Sequence, residues 1–133
     1  MSTPTAPARR TSVKRSPKQA AGHHAEVLAY RYLKAHGLSF IRANYSCKSG
    51  EIDLIMAHGD TVVFVEVKAR TNSTHGSAIE TITPSKQRRL TRAAQHFIQR
   101  HDPRLQHAYR FDVVAIQGSP NDNPEIQWIV SAF

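Results

Sequence analysis

The sequence is poor in cysteine and has no long hydrophobic run, and each shortage excludes a class of protein. Cys47 is the single cysteine among 133 residues, which excludes an internal disulfide and a zinc site built on paired thiolates. The longest uninterrupted apolar runs, such as Val62 to Val65, are four residues, far short of the roughly 20 needed to span a bilayer. We therefore expect a cytoplasmic protein in a reducing compartment, with no membrane partner.

Acidic residues are also scarce relative to basic ones. The chain has 18 Lys and Arg against 10 Asp and Glu, which gives a net charge of +8 and favours an acidic polymer, nucleic acid first, as a partner. Residues 1–20 hold five of the bases and no acid, and they contain few large apolar residues. This composition predicts a disordered basic tail over residues 1–19, followed by one globular domain over residues 20–133.

Hydrophobic periodicity in the domain predicts an α/β fold with the element order α-β-β-β-α-β-β. Apolar residues at steps of three and four predict a helix from about residue 18 to 36, ended by Gly37. Thr83 and Pro84 mark the start of a second helix, which stops near Asp102. The five predicted strands cover residues 40–45, 50–56, 61–69, 111–116 and 125–130.

Charged residues interrupt the apolar faces of the second and third strands. Glu66 and Lys68 share one face of a strand that is otherwise hydrophobic. If the hairpin turn is residues 57–60, Asp53 lies across from Phe64 and Glu51 across from Glu66, so that Asp53 and Glu66 are diagonal neighbours roughly 7–8 Å apart. Spacing alone does not decide whether Glu51 or Asp53 is the ligand that acts with Glu66. The opposite face of the second strand is predicted to carry Ile52, Leu54 and Met56.

Two helical charges lie on faces that are predicted to be buried. Glu26 shares the apolar stripe of the first helix, and Lys86 lies at the start of the stripe on the second. Burying such charges without partners costs several kcal/mol. Three acids that converge with a lysine would form a hard-oxygen site for Mg²⁺ or Mn²⁺, with Lys68 close to an attacking water. The alternatives are that Glu66 and Lys68 belong to an exposed strand edge or to a cross-strand ion pair, and that Glu26 is a surface residue at the rim of its helix.

Two segments carry a resemblance to a known family. Residues 50–55 (GEIDLI) and 63–70 (VFVEVKAR) resemble the YraN-like family of small bacterial proteins. That family belongs to the PD-(D/E)xK nuclease group and is similar to archaeal Holliday-junction resolvases. The resemblance covers roughly residues 20–133 and includes Lys86 and residues 110–114. It implies a restriction-endonuclease-like fold, in which helices flank a mixed central β-sheet.

The resemblance also implies roles for individual residues. Asp53, rather than Glu51, matches the acid of the first motif, and Glu66 and Lys68 match the acid and the lysine of the second. Glu26 matches an acid from the first helix. The implied activity is a metal-dependent endonuclease that hydrolyses phosphodiester bonds in DNA, with branched or flapped DNA as a substrate by analogy. The implied ligands of Mg²⁺ or Mn²⁺ are Asp53, Glu66, the backbone carbonyl of Val67 and Glu26.

In this hypothesis Lys68 orients or deprotonates the attacking water. The residues expected to bind DNA phosphates are Arg70, Lys86, Arg88 and Arg92. A homodimer is expected because similar resolvases cut two strands symmetrically. Two alternatives stay open: a catalytically silent nucleic-acid-binding accessory protein on the same fold, and a basic protein associated with RNA or the ribosome. The second of these leaves the inward-facing acids unexplained.

Overall fold

The computed structural model describes residues 17–70, 82–118 and 123–133, with the side chains of the first helix described from residue 22. Its elements are α1 (Pro17–Ala35), β1 (Ser39–Cys47), β2 (Gly50–His58), β3 (Thr61–Arg70), α2 (Pro84–His101), β4 (Ala108–Gln117) and β5 (Glu125–Ile129). The predicted α/β class and element order are confirmed. Residues 17–19 of the predicted tail belong to α1, and the rest of that tail lies outside the described residues. Within the described parts, no helix is long and apolar enough to cross a membrane.

Both helices begin and end close to their predicted limits. Gly37, with φ 95°, follows the end of α1 in the left-handed conformation that favours glycine. The hydroxyl of Thr83 caps α2 by accepting a hydrogen bond from the backbone N–H of Lys86 at 3.1 Å, and Asp102 caps its C-terminus. From residue 22 onward, the fully buried residues of α1 are Ala25, Ala29 and Leu33.

The five strands form one mixed sheet, which the two helices cover on opposite faces. The strand order is β1-β2-β3-β4-β5, and only the β3–β4 pair is parallel among the described strands. Because side chains alternate along a strand, Val63 and Val65 of β3 pack on the α1 side. Val62 and Phe64 pack on the α2 side. The result is three layers with a hydrophobic core on each face of the sheet.

The β2–β3 hairpin has a shorter turn than the sequence predicts, so the predicted register is wrong by two residues. Only Gly59 and Asp60 lie between the strands, and Phe64 pairs with Ile55 rather than with Asp53. Gly59 has φ 62°, the sign that the first position of a two-residue type II′ turn requires. Because the shift is an even number of residues, the predicted faces of β3 are unchanged.

Ile52 faces the opposite way from its prediction. Leu54 and Met56 pack on the α1 side of the sheet, but Ile52 belongs to the core under α2. The pairing of β1 with β2 skips Asn44 and Asp53, and Asn44 has φ 54°. A local irregularity of this kind breaks the strict alternation of side chains along a strand, and sequence periodicity does not reveal where it occurs.

Gly50 begins β2 in close contact with α2, and this contact excludes a side chain. A Cβ atom at position 50 would lie 2.8 Å from the carbonyl oxygen of Arg89. We expect Gly50→Ala to lower the free energy of unfolding by about 1–3 kcal/mol, because strand and helix must move apart. Urea denaturation of both proteins measures this change.

Gly22 offers the control for this substitution. It lies within α1, and a Cβ atom there would meet nothing within 4 Å. Gly22→Ala should therefore raise the free energy of unfolding by about 0.5–1 kcal/mol, since alanine is the better helix former. An unchanged or raised free energy of unfolding in Gly50→Ala, as expected for Gly22→Ala, would contradict the close contact at Gly50.

Candidate functional site

Strands β2 and β3 separate at one end of their hairpin, and the candidate site lies in the gap. Their pairing ends at Leu54 and Val65, whereas β2 stays paired with β1 and β3 stays paired with β4 beyond this point. The next residues on the two strands are Asp53 and Glu66. We call this opening of the sheet, with Asp53 and Glu66 on its two sides, the fork.

The carboxylate of Asp53 bridges the fork. Its Oδ2 accepts a hydrogen bond from the backbone N–H of Val67 on β3 at 2.9 Å. Burial, reinforced by the charges of Glu66 and Glu26, raises the pKa of Asp53 to about 8 in spite of this hydrogen bond. At neutral pH Asp53 therefore holds a proton unless additional positive charge is bound beside it.

Glu66 is only 6% exposed, and two lysines compensate its charge. The Nζ of Lys86 lies 2.6 Å from Glu66 Oε2, and the Nζ of Lys68 lies 3.8 Å from the same oxygen. Burial and the neighbouring Lys86 lower the pKa of Lys68. Burial also opposes the charged form of Lys86, but its interactions with Glu66, Lys68 and Asp53 together outweigh burial and raise the pKa of Lys86. Lys86 therefore keeps its charge, while Lys68 gives up a proton more readily.

Glu26 and Arg70 lie close enough to influence this group electrostatically. The charge of Glu26 raises the pKa of Asp53, and that of Arg70 lowers the pKa of Lys68. Across the described ranges, no three His, Cys, Asp or Glu side chains are arranged to hold a metal ion. The ligand roles expected for Asp53, Glu66, Glu26 and the carbonyl of Val67 all stay predictions.

Arg88 and Arg92, two of the expected phosphate-binding residues, lie away from the fork. Both are exposed. They stand two residues before and two residues after the buried Leu90, which places them roughly 160° around the helix from it. Their contact with phosphates therefore stays a prediction about the outer side of α2.

A groove of about 410 Å³ adjoins the fork through Lys86, and sequence reasoning did not single it out. We call it the basic groove. It lies between the β1–β2 turn with its adjoining strand ends, residues 46–51, and the flank of α2, and its basic side chains are Lys48, Lys86 and Arg89. The spacing of Lys86 and Arg89, three residues apart on one helix, could have identified Arg89. Lys48 joins them only through the packing of the turn against α2.

Glu51 lines the basic groove and does not face Glu66. It is exposed and pairs with Ser46 in the β1–β2 ladder. The predicted position of Glu51 across from Glu66 is wrong, because the observed hairpin register brings Asp53 next to Glu66 instead. The structure thus places Asp53, and not Glu51, at the fork.

Asp112 on β4 shows how the same sheet buries an acid for structural purposes. It is 1% exposed. Its carboxylate accepts hydrogen bonds from Arg110 Nε at 3.0 Å, the indole N–H of Trp128 at 2.9 Å and the backbone N–H of Ser131 at 3.0 Å. Asp53, by contrast, faces a second carboxylate. Groups held in such unfavourable electrostatic surroundings concentrate at functional sites, so the fork is the better candidate for chemistry.

The raised pKa of Asp53 predicts that this residue costs stability. Because its folded pKa of about 8 exceeds the ordinary 3.8, ionisation of Asp53 opposes folding increasingly as pH rises from about 4 to 8. In the presence of a chelator, Asp53→Asn should raise the free energy of unfolding at pH 8 by on the order of 2 kcal/mol, with little effect at pH 4. Urea denaturation across this pH range measures the difference.

Asp112→Asn is the matched control. Because it breaks the buried pair with Arg110, it should lower the free energy of unfolding by about 3 kcal/mol at pH 8. If Asp53→Asn destabilised the protein at pH 8 as Asp112→Asn does, Asp53 would be a structural acid like Asp112.

Comparison with known proteins agrees with the family resemblance. The family described as "Uncharacterised protein family UPF0102" matches residues 25–116. A UPF0102 protein of Pseudomonas syringae pv. syringae (strain B728a) is 46% identical over 121 residues, which is 91% of this chain and 98% of the relative. Relatives in Herminiimonas arsenicoxydans (46% over 119 residues, 90% of each chain) and Aeromonas hydrophila subsp. hydrophila (45% over 113 residues, 84% of this chain and 83% of the relative) are also UPF0102 proteins. The chain therefore belongs to the UPF0102 family, as its YraN-like motifs predict.

Proposed function

We propose that this protein is a divalent-metal-dependent endonuclease that hydrolyses phosphodiester bonds in DNA. The observation that carries the proposal is the meeting of Asp53, Glu66 and Lys68 at the fork, with Lys86 against Glu66. A mixed sheet between two helices, in the order α-β-β-β-α-β-β, supports assignment to the restriction-endonuclease-like fold. Branched or flapped DNA is the substrate that the family resemblance favours.

The chemistry of the fork suits a hard divalent cation. Carboxylate oxygens are the ligands that Mg²⁺ and Mn²⁺ prefer. The pKa of Asp53, raised by burial and by Glu66, supports the proposal, because a bound cation would stabilise the ionised form of this carboxyl. Asp53 and Glu66 would hold the ion, together with the carbonyl of Val67 and with Glu26 directly or through water. What such an ion supplies when bound is polarisation of the scissile phosphate and a lower pKa for the attacking water.

Lys68 is the residue of this chain best placed to handle the proton. Its lowered pKa, caused by burial and by Lys86, makes the neutral amine more accessible, so that Lys68 can accept a proton from the water. Once protonated, Lys68 stabilises the negative charge that develops on the phosphate. Arg70 and Lys86 stand beside it to bind phosphate oxygens, and Arg88 and Arg92 are predicted to contact phosphates farther along the DNA.

One observation favours a second candidate, a nucleic-acid-binding protein without turnover. Lys86 already places a positive charge 2.6 Å from Glu66, which meets part of the electrostatic demand that a metal ion would meet. Isothermal titration calorimetry with Mg²⁺ and Mn²⁺ separates the two candidates. Heat of binding that disappears in Asp53→Asn supports the nuclease, whereas salt-sensitive DNA binding without metal binding supports the silent protein.

The direct test is DNA cleavage by the wild-type protein and by Lys68→Ala. We expect the wild-type protein to cut at least one of junction, flap and single-stranded DNA in Mg²⁺ or Mn²⁺ and to stop when a chelator is added. Lys68→Ala should cut about 100-fold more slowly or worse, because it loses both proton transfer and charge stabilisation. Rates of product formation on labelled DNA provide the measurement.

Lys34→Ala is the matched control, because Lys34 is an exposed lysine on α1 away from the fork. It should keep the wild-type cleavage rate. Equal inertness of the wild-type protein and Lys68→Ala on all three substrates would refute the nuclease proposal. Equal activity would show that the cleavage does not depend on the fork. The predicted homodimer can be checked on the same preparations by light scattering.

A further inference from the structure

The basic groove has a composition that matches the backbone of a nucleic-acid strand. Lys48, Lys86 and Arg89 contribute three positive charges, against the single negative charge of Glu51. The remaining lining residues are Ser46, Cys47, Ser49, Gly50 and Leu90. No aromatic ring is among these described lining residues, so the groove offers charge and hydrogen bonds to phosphates and no platform on which bases could stack.

Packing makes the groove a built feature of the fold. Gly50 allows the β1–β2 turn to approach the backbone of α2 at Arg89, where a side chain at position 50 would clash at 2.8 Å. This approach brings the turn that carries Lys48 against the helix that carries Arg89, and both residues line the groove. The basic side chains therefore face one cleft from two separate elements, and a strand lying in that cleft would meet positive charge on both sides.

Lys86 connects the groove to the fork. It lines the groove, and its Nζ lies 2.6 Å from Glu66 Oε2. A strand whose scissile phosphate lies at Asp53 and Glu66 would reach the groove with a neighbouring phosphate. Arg88 and Arg92, on the outer side of α2, do not line this path.

We propose that the basic groove binds the DNA strand next to the scissile phosphate, through contacts of Lys48 and Arg89 with its phosphates. This proposal rests on the proposed nuclease function for the identity of the strand. It adds two binding residues beyond the motif residues and gives the direction in which the strand leaves the fork. Because the contacts are to phosphates, binding is independent of base sequence and sensitive to salt.

The reactivity of the Cys47 thiol can report on DNA binding in the wild-type protein. It is the single cysteine of the chain, it is half-buried, and it lines the groove. With a chelator present to prevent cleavage, a saturating single-stranded DNA oligonucleotide should slow alkylation of Cys47 by iodoacetamide several-fold. Binding of the same oligonucleotide is followed in parallel by fluorescence anisotropy. If the oligonucleotide binds and the alkylation rate is unchanged, the strand lies elsewhere and the proposal is overturned.

Paired substitutions test the residues themselves. Lys48→Gln with Arg89→Gln should weaken DNA binding about tenfold at low salt and reduce the slope of log affinity against log salt by roughly 1.4, or 0.7 for each lost phosphate contact. Arg31→Gln with Lys34→Gln, at two exposed positions of α1 on the opposite face of the sheet from α2, removes the same charge from the same protein and should weaken binding less than threefold. Equal weakening by the two pairs would overturn the proposal, because net charge alone would then explain binding.

Glu51→Gln supplies a change of the opposite sign. Removing the one acid of the groove should strengthen DNA binding, whereas Asp60→Gln, at the exposed hairpin turn, should change it less. A weaker or unchanged affinity in Glu51→Gln counts against the groove, as does a wild-type protein that binds no DNA at low salt. If the protein cleaves DNA and the groove variants leave DNA binding unchanged, only the groove proposal is refuted. If DNA binding depends on the groove residues but the protein does not cleave DNA, only the nuclease proposal is refuted.

Discussion

The pairing of β2 with β3 stops at Leu54 and Val65, and the rest of the candidate site depends on this interruption. Beyond it, the backbone N–H of Val67 is satisfied by a side chain, the carboxylate of Asp53, at 2.9 Å. In a continuous ladder a backbone carbonyl, and not the Asp53 carboxylate, would be the acceptor for such an N–H. The fork opens the sheet at the point where the two acids meet.

Closure of the fork from both faces explains its electrostatics. α1 contributes Glu26 on one side and α2 contributes Lys86 on the other, so the acids are removed from water while charges of both signs remain close. Burial dominates the raised pKa of Asp53, with the neighbouring acids as a further cause. Asp112, in the same sheet, is stabilised by Arg110, Trp128 and a backbone N–H. Among the described residues, Asp53 accepts a hydrogen bond from the backbone N–H of Val67 and has no set of donors comparable to that of Asp112, so bound positive charge would stabilise its carboxylate.

Sequence patterns predicted those features that depend on local periodicity. The element order, the Thr83 cap, the Gly37 terminus and the alternating faces of β3 all follow from short-range spacing, and the structure confirms them. The hairpin register was wrong because two of the four expected turn residues join the strands.

The other errors and omissions share a physical cause. The orientation of Ile52 depends on an irregularity at Asn44 in the neighbouring strand, and the position of Lys48 depends on how a turn packs against a helix. Both depend on tertiary contacts that no repeat in the sequence encodes. Asp53 and Glu51 are two residues apart, so strand alternation alone predicts the same face for both. Assigning Asp53 rather than Glu51 to the site therefore required either the family motif or the observed register.

The net charge of the chain and the charges around the fork and the basic groove give different information about this protein. Five of the bases behind the net charge of +8 fall within residues 1–20, at the end of the chain away from the motifs. At the fork the important charges are two acids and two lysines, and in the basic groove three bases oppose one acid. Lys86 belongs to both groups. In the proposed function, a residue that compensates a buried acid and also lines the basic groove would link DNA binding to catalysis through one side chain, and the overall charge of the chain does not show this link.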